Sequence, residues 1–247
     1  MIFGIASTEL NTVRTPLKSR LMETEMTQTT TLHDRTVGQI AAQLPGASGV
    51  FRRFGIDFCC HGDVPLAEAA NRRNLDLGAL ETALSALDPA AAPDAPQDTG
   101  ALIDHIQTRY HATHRQQIPE LIELSRKVEA VHANHPEVPR GLSDALHRIW
   151  GELEVHMKKE ELVLFPAMRR QAADRLAVPI SEMRHDHDDH GAFLDQVAQL
   201  THDYTPPQDA CRSWQALYAG AAQLKADLMD HIHLENNVLF PRFETTA

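Results

Sequence analysis

From about Ala101 the chain carries four long stretches whose apolar residues return at helical spacing. They are "TGALIDHIQTRYHATHRQQIPELIELSRKVEAVH", "GLSDALHRIWGELEVHMKKEELVLFPAMRRQ", "PISEMRHDHDDHGAFLDQVAQLTHDY" and "PPQDACRSWQALYAGAAQLKADLMDHIHLENNVLFPRF". A kink is expected at Pro119, Ser143 is a candidate cap of the second stretch, and Pro179 stands in the first turn of the third. No sustained alternation rich in Val, Ile and Thr suggests a strand. Four helices joined by short connections predict an antiparallel bundle, and an all-α fold class.

Shorter helical patterns precede the bundle, over residues 32–87. "TVGQIAAQLPG" has Thr36 as an N-cap and ends at Pro45-Gly46, "ASGVFRRFG" ends at Gly55, "PLAEAANRR" opens on Pro65, and "DLGALETALSALD" has Asp76 in the capping position. This span is expected to be a small helical domain. Residues 88–100 ("DPAAAPDAPQDTG") are rich in Pro and Ala without a periodic apolar face and read as a linker to the bundle, 101–247. Residues 1–31 are polar and patternless, a tail expected to be disordered.

The bundle repeats itself. "HMKKEELVLFP" (from His156) and "HIHLENNVLFP" (from His231) align at His, at Glu four residues on, and at Leu-Phe-Pro. The first helix carries His111-x-x-His114 and the third His187-x-x-His190, at nearly the same offset, so the first pair of helices resembles a copy of the second. On a helix, residues four apart share a face, so His156 projects with Glu160 and His231 with Glu235. Glu152 and Asp227 extend the two stripes backwards, while Leu164 and Leu239 extend them into apolar sequence, as for polar groups facing a core. Buried carboxylates cost several kcal/mol unless paired or bound to metal. Imidazole with carboxylate suits iron, manganese or zinc. Two irons of about six positions each, sharing two glutamates and one oxo or hydroxo group and bound by four imidazoles, would keep about two positions open for reaction or exchange. Glu152, Asp186 and Asp227 are then candidates to orient the imidazoles. Spacing leaves open whether His111 or His114, and His187 or His190, is the ligand.

Composition adds to this picture. The 247 residues are 43% hydrophobic, enough for a substantial core, and include 15 His, more than the eight Phe, two Trp and three Tyr together. A net charge of −11 disfavours phosphate backbones and anionic membranes as partners. No apolar run reaches the ~18–20 residues of a membrane span, and "MIFGIASTEL" lacks the basic start of a secretory signal, so a cytoplasmic protein is expected. Three cysteines form no disulfide framework. A permanent bridge between the adjacent Cys59 and Cys60 would need a strained ring. The alternatives are two structural thiols or a thiolate site, with His61, Arg52 and Arg53 placed to lower a thiol pKa. Cys211 is expected to pack within the fourth helix.

"YHATHRQQIPELI", "HMKKEELVLFP", "MRHDHDDHG" and "DLMDHIHLENNVLFPR" resemble the hemerythrin-like domain of the di-iron iron–sulfur cluster repair proteins, and "RRFGIDFCCHGD" resembles their N-terminal paired-cysteine domain. The resemblance runs from about Leu32 to the C-terminus. It implies His111, His156, His187 and His231 as iron ligands, Glu160 and Glu235 as bridges, and two non-haem iron ions with an oxo or hydroxo bridge. His105, His114, His185, His190 and His233 are additions that could compete, whereas His33, His132, His135, His147 and His202 read as surface or packing residues. The implied function is repair of iron–sulfur clusters damaged by nitrosative or oxidative stress, by iron donation or by reaction with nitric oxide. Cys59 and Cys60 would take part in repair, damaged iron–sulfur proteins would be the clients, and the chain would act as monomer or homodimer. The alternative is a hemerythrin-like enzyme or sensor that binds or reduces nitric oxide or dioxygen.

Overall fold

Thr36 opens the first helix as its N-cap, and its side chain and that of Gln39 bond each other's backbone N–H in a reciprocal capping box. In the computed structural model, which describes residues 31–171 and 176–244, this helix is α1 (Val37–Gln43). There follow α2 (Ala47–Phe54), stopped by Gly55 at φ +69°, α3 (Leu66–Arg72), and α4 (Leu77–Ser85), capped by the Asp76 carboxylate. The expected tail lies, apart from Thr31, outside the described residues.

The first bundle helix joins α5 (Thr99–His105), a π turn over Ile106–His111, and α6 (Ala112–Val131). The second joins α7 (Leu142–Lys159), a π turn over Glu160–Leu164, and α8 (Phe165–Arg169). The third is α9 (Ala177–Leu200). The fourth joins α10 (Arg212–His233), a π turn over Leu234–Leu239, and a 3₁₀ turn over Phe240–Arg242. In a ring, α6 packs on α7 and α10, and α9 on the same two helices. The fold is all-α: no strand occurs among the described residues, and no described helix is long and apolar enough to cross a membrane.

The first helix carries a π turn over Ile106–His111, and α6 runs as helix through Pro119. Two local expectations are corrected. Ser143 is not the cap of α7. Gly141 holds the N-cap position at φ +88°, and the Glu129 carboxylate of α6 accepts the backbone N–H groups of Gly141 and Ser143. Cys211 does not pack inward but stands exposed at the N-cap of α10.

The small helices and the bundle share one apolar cluster, with Ile40, Phe51, Phe58 and Leu80 packed into the same core as Leu224 and Ile232. A second cluster, around Leu164, Phe165, Leu239 and Phe240, closes the π-turn end. The cysteine loop is tied down by Asn237, whose amide donates to the Phe58 carbonyl at 2.9 Å. Gly38 lies close against this contact: a Cβ there would meet Asn237 Oδ1 at 2.5 Å and the Gly62 carbonyl at 2.8 Å. Gly38→Ala is therefore expected to cost about 1–3 kcal/mol, read as a melting temperature lowered by roughly 2–10 °C. An unchanged melting temperature would show that loop and helix part without cost.

Candidate metal centre

Both His-x-x-x-Glu copies lie at the junction of an α-helix and a π turn, and both run into Phe-Pro. The π turn takes one extra residue and shifts the face that follows, while proline, without an N–H, adds no orphan donor where the register resets. The result is an inward cluster of six side chains, none more than 1% exposed: His111, His156, Glu160, His187, His231 and Glu235. His111, His231 and both glutamates offer donor atoms all within 4.8 Å of one another, and so do His156, His187 and the same two glutamates. Each glutamate thus belongs to both groups. His111 Nε2 lies 3.1 Å from His231 Nε2, and His187 Nε2 lies 3.2 Å from His156 Nε2. Glu160 Oε2 is 3.4 Å from both His111 Nε2 and His156 Nε2. Glu235 reaches His187 at 3.0 Å and His231 at 3.1 Å.

The outer nitrogens of the rings are mostly occupied. Nδ1 of His111 lies 2.8 Å from Glu161, that of His156 lies 3.1 Å from Asp186, and that of His187 lies 2.9 Å from the Asn236 carbonyl. Acceptors on Nδ1 call for a proton there and leave the Nε2 lone pair aimed at the centre. Asp186 is where the sequence reading put it. Glu152 is a correction: it is exposed, and no described hydrogen bond joins it to an imidazole, because two successive four-residue steps have rotated it off the inward line. Asp227 is buried but accepts from Arg109 at 2.6 Å and Gln223 at 3.1 Å rather than from His231, whose Nδ1 has no partner. Glu161 and Asn236 were missed. Each directly follows a bridging-candidate glutamate, and that repeated position was the available signal.

His114 and His190 are also buried and flank the cluster, with ring centroids 5.3 Å from His231 and 5.0 Å from His156, respectively. Neither joins the groups of converging donors. His233 faces the small helices, edge-on to Phe58 at 5.3 Å; His185 is exposed, and His105 packs edge-on to Tyr110.

The donor set fits a cation. Burial pushes the imidazoliums of His111 and His156 down to about 4, so the rings are neutral near pH 7. Both Glu160 oxygens are buried without a hydrogen-bond partner. Burial and then the charge of Glu235 raise the Glu160 carboxyl well above the usual range. Burial acts on Glu235 in the same direction but is outweighed by His231 and His187, which hold it low. The cluster lacks the further positive charge that would let both buried carboxylates ionise together. Metal ions shared by the two groups would supply it.

Asn236 connects this cluster to the cysteines. Its amide donates to the Cys59 carbonyl at 3.0 Å while its own carbonyl faces His187, and Cys60 Sγ lies 3.4 Å from the His187 carbonyl. The two thiols are free, 3.7 Å apart. The expected thiolate-promoting cations are engaged elsewhere: Arg52 pairs with Asp230, Arg53 lies over Phe54, and His61 bonds Asp57. Asp57 also accepts both cysteine N–H groups and the Cys59 thiol. The Cys59 thiol pKa is raised, by its bond to Cys60, by burial and by nearby negative charge. Cys60 is the more exposed of the two, on a cavity of about 430 Å³ with Arg73, Asp188 and Lys225 on its wall. Asn236→Ala would remove both partners at once. It is expected to weaken iron binding by roughly 10–100-fold, measured by competition with a chelator; unchanged affinity would show that His187 needs no such support.

Two family models match the chain. Residues 102–243 match the Hemerythrin HHE cation binding domain, and residues 33–88 match ScdA_N, a domain of unknown function (DUF542). Over 212 residues the chain is 47% identical to "Iron-sulfur cluster repair protein YtfE" of Yersinia pseudotuberculosis (serotype O:1b, strain IP 31758) and 46% identical to the protein so named in Dickeya chrysanthemi (strain Ech1591). Over 211 residues it is 44% identical to that of Escherichia coli O157:H7. Each alignment covers 85% of this chain and 96% of the relative.

Proposed function

The chain belongs to the hemerythrin HHE cation-binding family and, within it, to the iron–sulfur cluster repair proteins, and from that premise we propose that it holds two iron ions and repairs iron–sulfur clusters damaged by nitric oxide or oxidants. The observation that carries the stoichiometry is the sharing of Glu160 and Glu235 between two separate pairs of histidines. Each pair would bind one ion, with the carboxylates bridging. Bound there, iron supplies an exchangeable metal for a damaged cluster, or a redox partner for nitric oxide.

The protein's own part is positioning. Glu161, Asp186 and Asn236 hold three imidazoles by Nδ1 and keep their Nε2 lone pairs inward. The apolar residues of the π-turn end exclude water from one side. The cysteine loop, tethered through Asn236 and Asn237, presents Cys60 beside the His187 backbone. Damaged iron–sulfur proteins would be its clients, met at that loop, in the cytoplasm.

Transfer of isotopically labelled iron tests this reading. Protein loaded with labelled iron is mixed with a client whose cluster has been stripped or nitrosylated. Label is expected to appear in the client as cluster activity returns. Retention of the label with catalytic consumption of nitric oxide and a reductant would instead establish the enzyme reading.

A further inference from the structure

Between α9 and α10, against the loop that carries the cysteines, lies the cavity of about 430 Å³, and none of the six side chains of the His/Glu cluster lines it. Its volume falls in the range of small-molecule sites, roughly 300–1,000 Å³. Asp188 to Asp195 on α9 and Ala222 to Met229 on α10 form two long walls. At about 1.5 Å per residue each wall is about 10 Å long, the reach of about three extended residues. Cys60 stands at the Asp188 end. Its Sγ lies 3.4 Å from the His187 carbonyl, and a Cβ on Gly191 would stand 3.2 Å from the same sulfur, so the glycine leaves the thiol its room. Cys59 also borders the cavity but is buried, with its thiol bonded to Asp57. Cys60 is therefore the sulfur open to a bound molecule.

Charges of both signs line the remainder. Lys225 stands over the Tyr204 ring at 5.4 Å, and neither it nor Arg73 enters an ion pair among the described residues. Asp188 and Asp195 are carboxylates equally without one. Arg52, by contrast, is paired with Asp230. The apolar surface between them comes from Ile56, Leu194 and Met229. An apolar ligand would bury these charges without partners, and a polyanion would meet the two aspartates. A zwitterion satisfies both signs: carboxylates for Lys225 and Arg73, an ammonium for an aspartate. A sulfur in the same molecule would lie within reach of Cys60.

We propose that this cavity binds the disulfide of a small peptide thiol bearing two carboxylates and an ammonium group, and that Cys60 takes up one half of it as a mixed disulfide. The S–S bond of the bound disulfide breaks as the bond to Cys60 Sγ forms. Cys60 is oxidised, and the departing half is reduced and leaves as a thiol carrying the Cys60 proton. Cys59 Sγ stands 3.7 Å from Cys60 Sγ, but its attack on the product would close the strained ring of adjacent cysteines. The mixed disulfide therefore persists until a second small thiol reduces it, a reversible cap on Cys60.

Glutathione disulfide is the probe, and 2-hydroxyethyl disulfide its uncharged counterpart, each added to full-length protein with the adducts located by peptide mass mapping. The exposed Cys211 serves as the reference thiol within the same chain. Cys60 is expected to gain one glutathione at a rate that saturates with concentration, while Cys211 reacts in linear proportion. Lys225→Glu and Arg73→Glu should each slow the reaction of Cys60 with glutathione disulfide by about tenfold. Neither should change its reaction with the uncharged disulfide or the thermal unfolding of the protein. No adduct at Cys60, a rate there that stays linear in concentration, or charge variants that slow neither disulfide or both alike would overturn the site. The readout is the adduct and not repair, so such a result would leave the iron reading standing.

Discussion

Protein purified with Glu160→Ala and Glu235→Ala together is expected to contain almost no iron, where the wild type is expected to contain about two per chain. The near-ultraviolet oxo-to-iron absorption expected of the wild type should be missing from it. The size of the effect follows from the sharing of these residues. Each glutamate stands among the donors of both histidine pairs, so one substitution weakens both positions and two leave four imidazoles without a carboxylate to balance the metal's charge. The fold should survive. Burial and the charge of Glu235 raise the Glu160 carboxyl above its usual range, and its oxygens are unpartnered, so its removal relieves a buried polar group instead of breaking a bond. Added iron should accordingly raise the melting temperature of the wild type, by mass action on the folded state, and leave that of the double variant where it was. Metal analysis beside thermal unfolding decides the matter. Unchanged iron in the double variant, or stoichiometric zinc in the wild type, would sink the assignment of the two repeated motifs.

Those motifs were legible because a helix repeats its face every four residues or so, and the chain repeats the pattern twice. Thr36, Gly55 and Asp76 punctuate the small helices as their chemistry demands. What the sequence hid is the π turn. Four-residue spacing made Glu152 a supporting residue, but two such steps from Glu160 rotate it into solvent within α7, before the π turn begins. In the π turn itself Glu161 reaches His111. The π turn over Leu234–Leu239 likewise brings Asn236 to His187. Extra backbone in a helix leaves no compositional mark, so only the identical place of Glu161 and Asn236 in the repeat could have exposed it. Partners from other helices were hidden for a different reason. Asp227 precedes His231 by one turn, yet Arg109 takes its carboxylate, and no local pattern reveals such a pairing.

The cysteine pair carries the second large expectation, and here the two thiols should behave differently. Cys60→Ser is expected to abolish restoration of iron–sulfur enzyme activity after nitric oxide stress, in cells lacking the native protein, while iron content of the purified variant stays at the wild-type level. Cys60 is the more exposed thiol and touches the His187 carbonyl, so it is the thiol that a client could reach. Its Sγ is not among the donors converging on either histidine pair, and its loss should leave the iron in place. Cys59 is 3% exposed, its thiol bonded to Asp57 and held protonated by burial and by its neighbours. A hydroxyl can make the same bond, so Cys59→Ser should retain most of the activity. Labelling with a small alkylating reagent should follow the same order, Cys60 first and Cys59 only on unfolding. The discriminating outcome is iron retained with repair lost: it separates holding the metal from delivering it, and places delivery at Cys60. Full repair by Cys60→Ser would show that the loop serves only to pack the small helices on the bundle, and that clients reach the iron by another face.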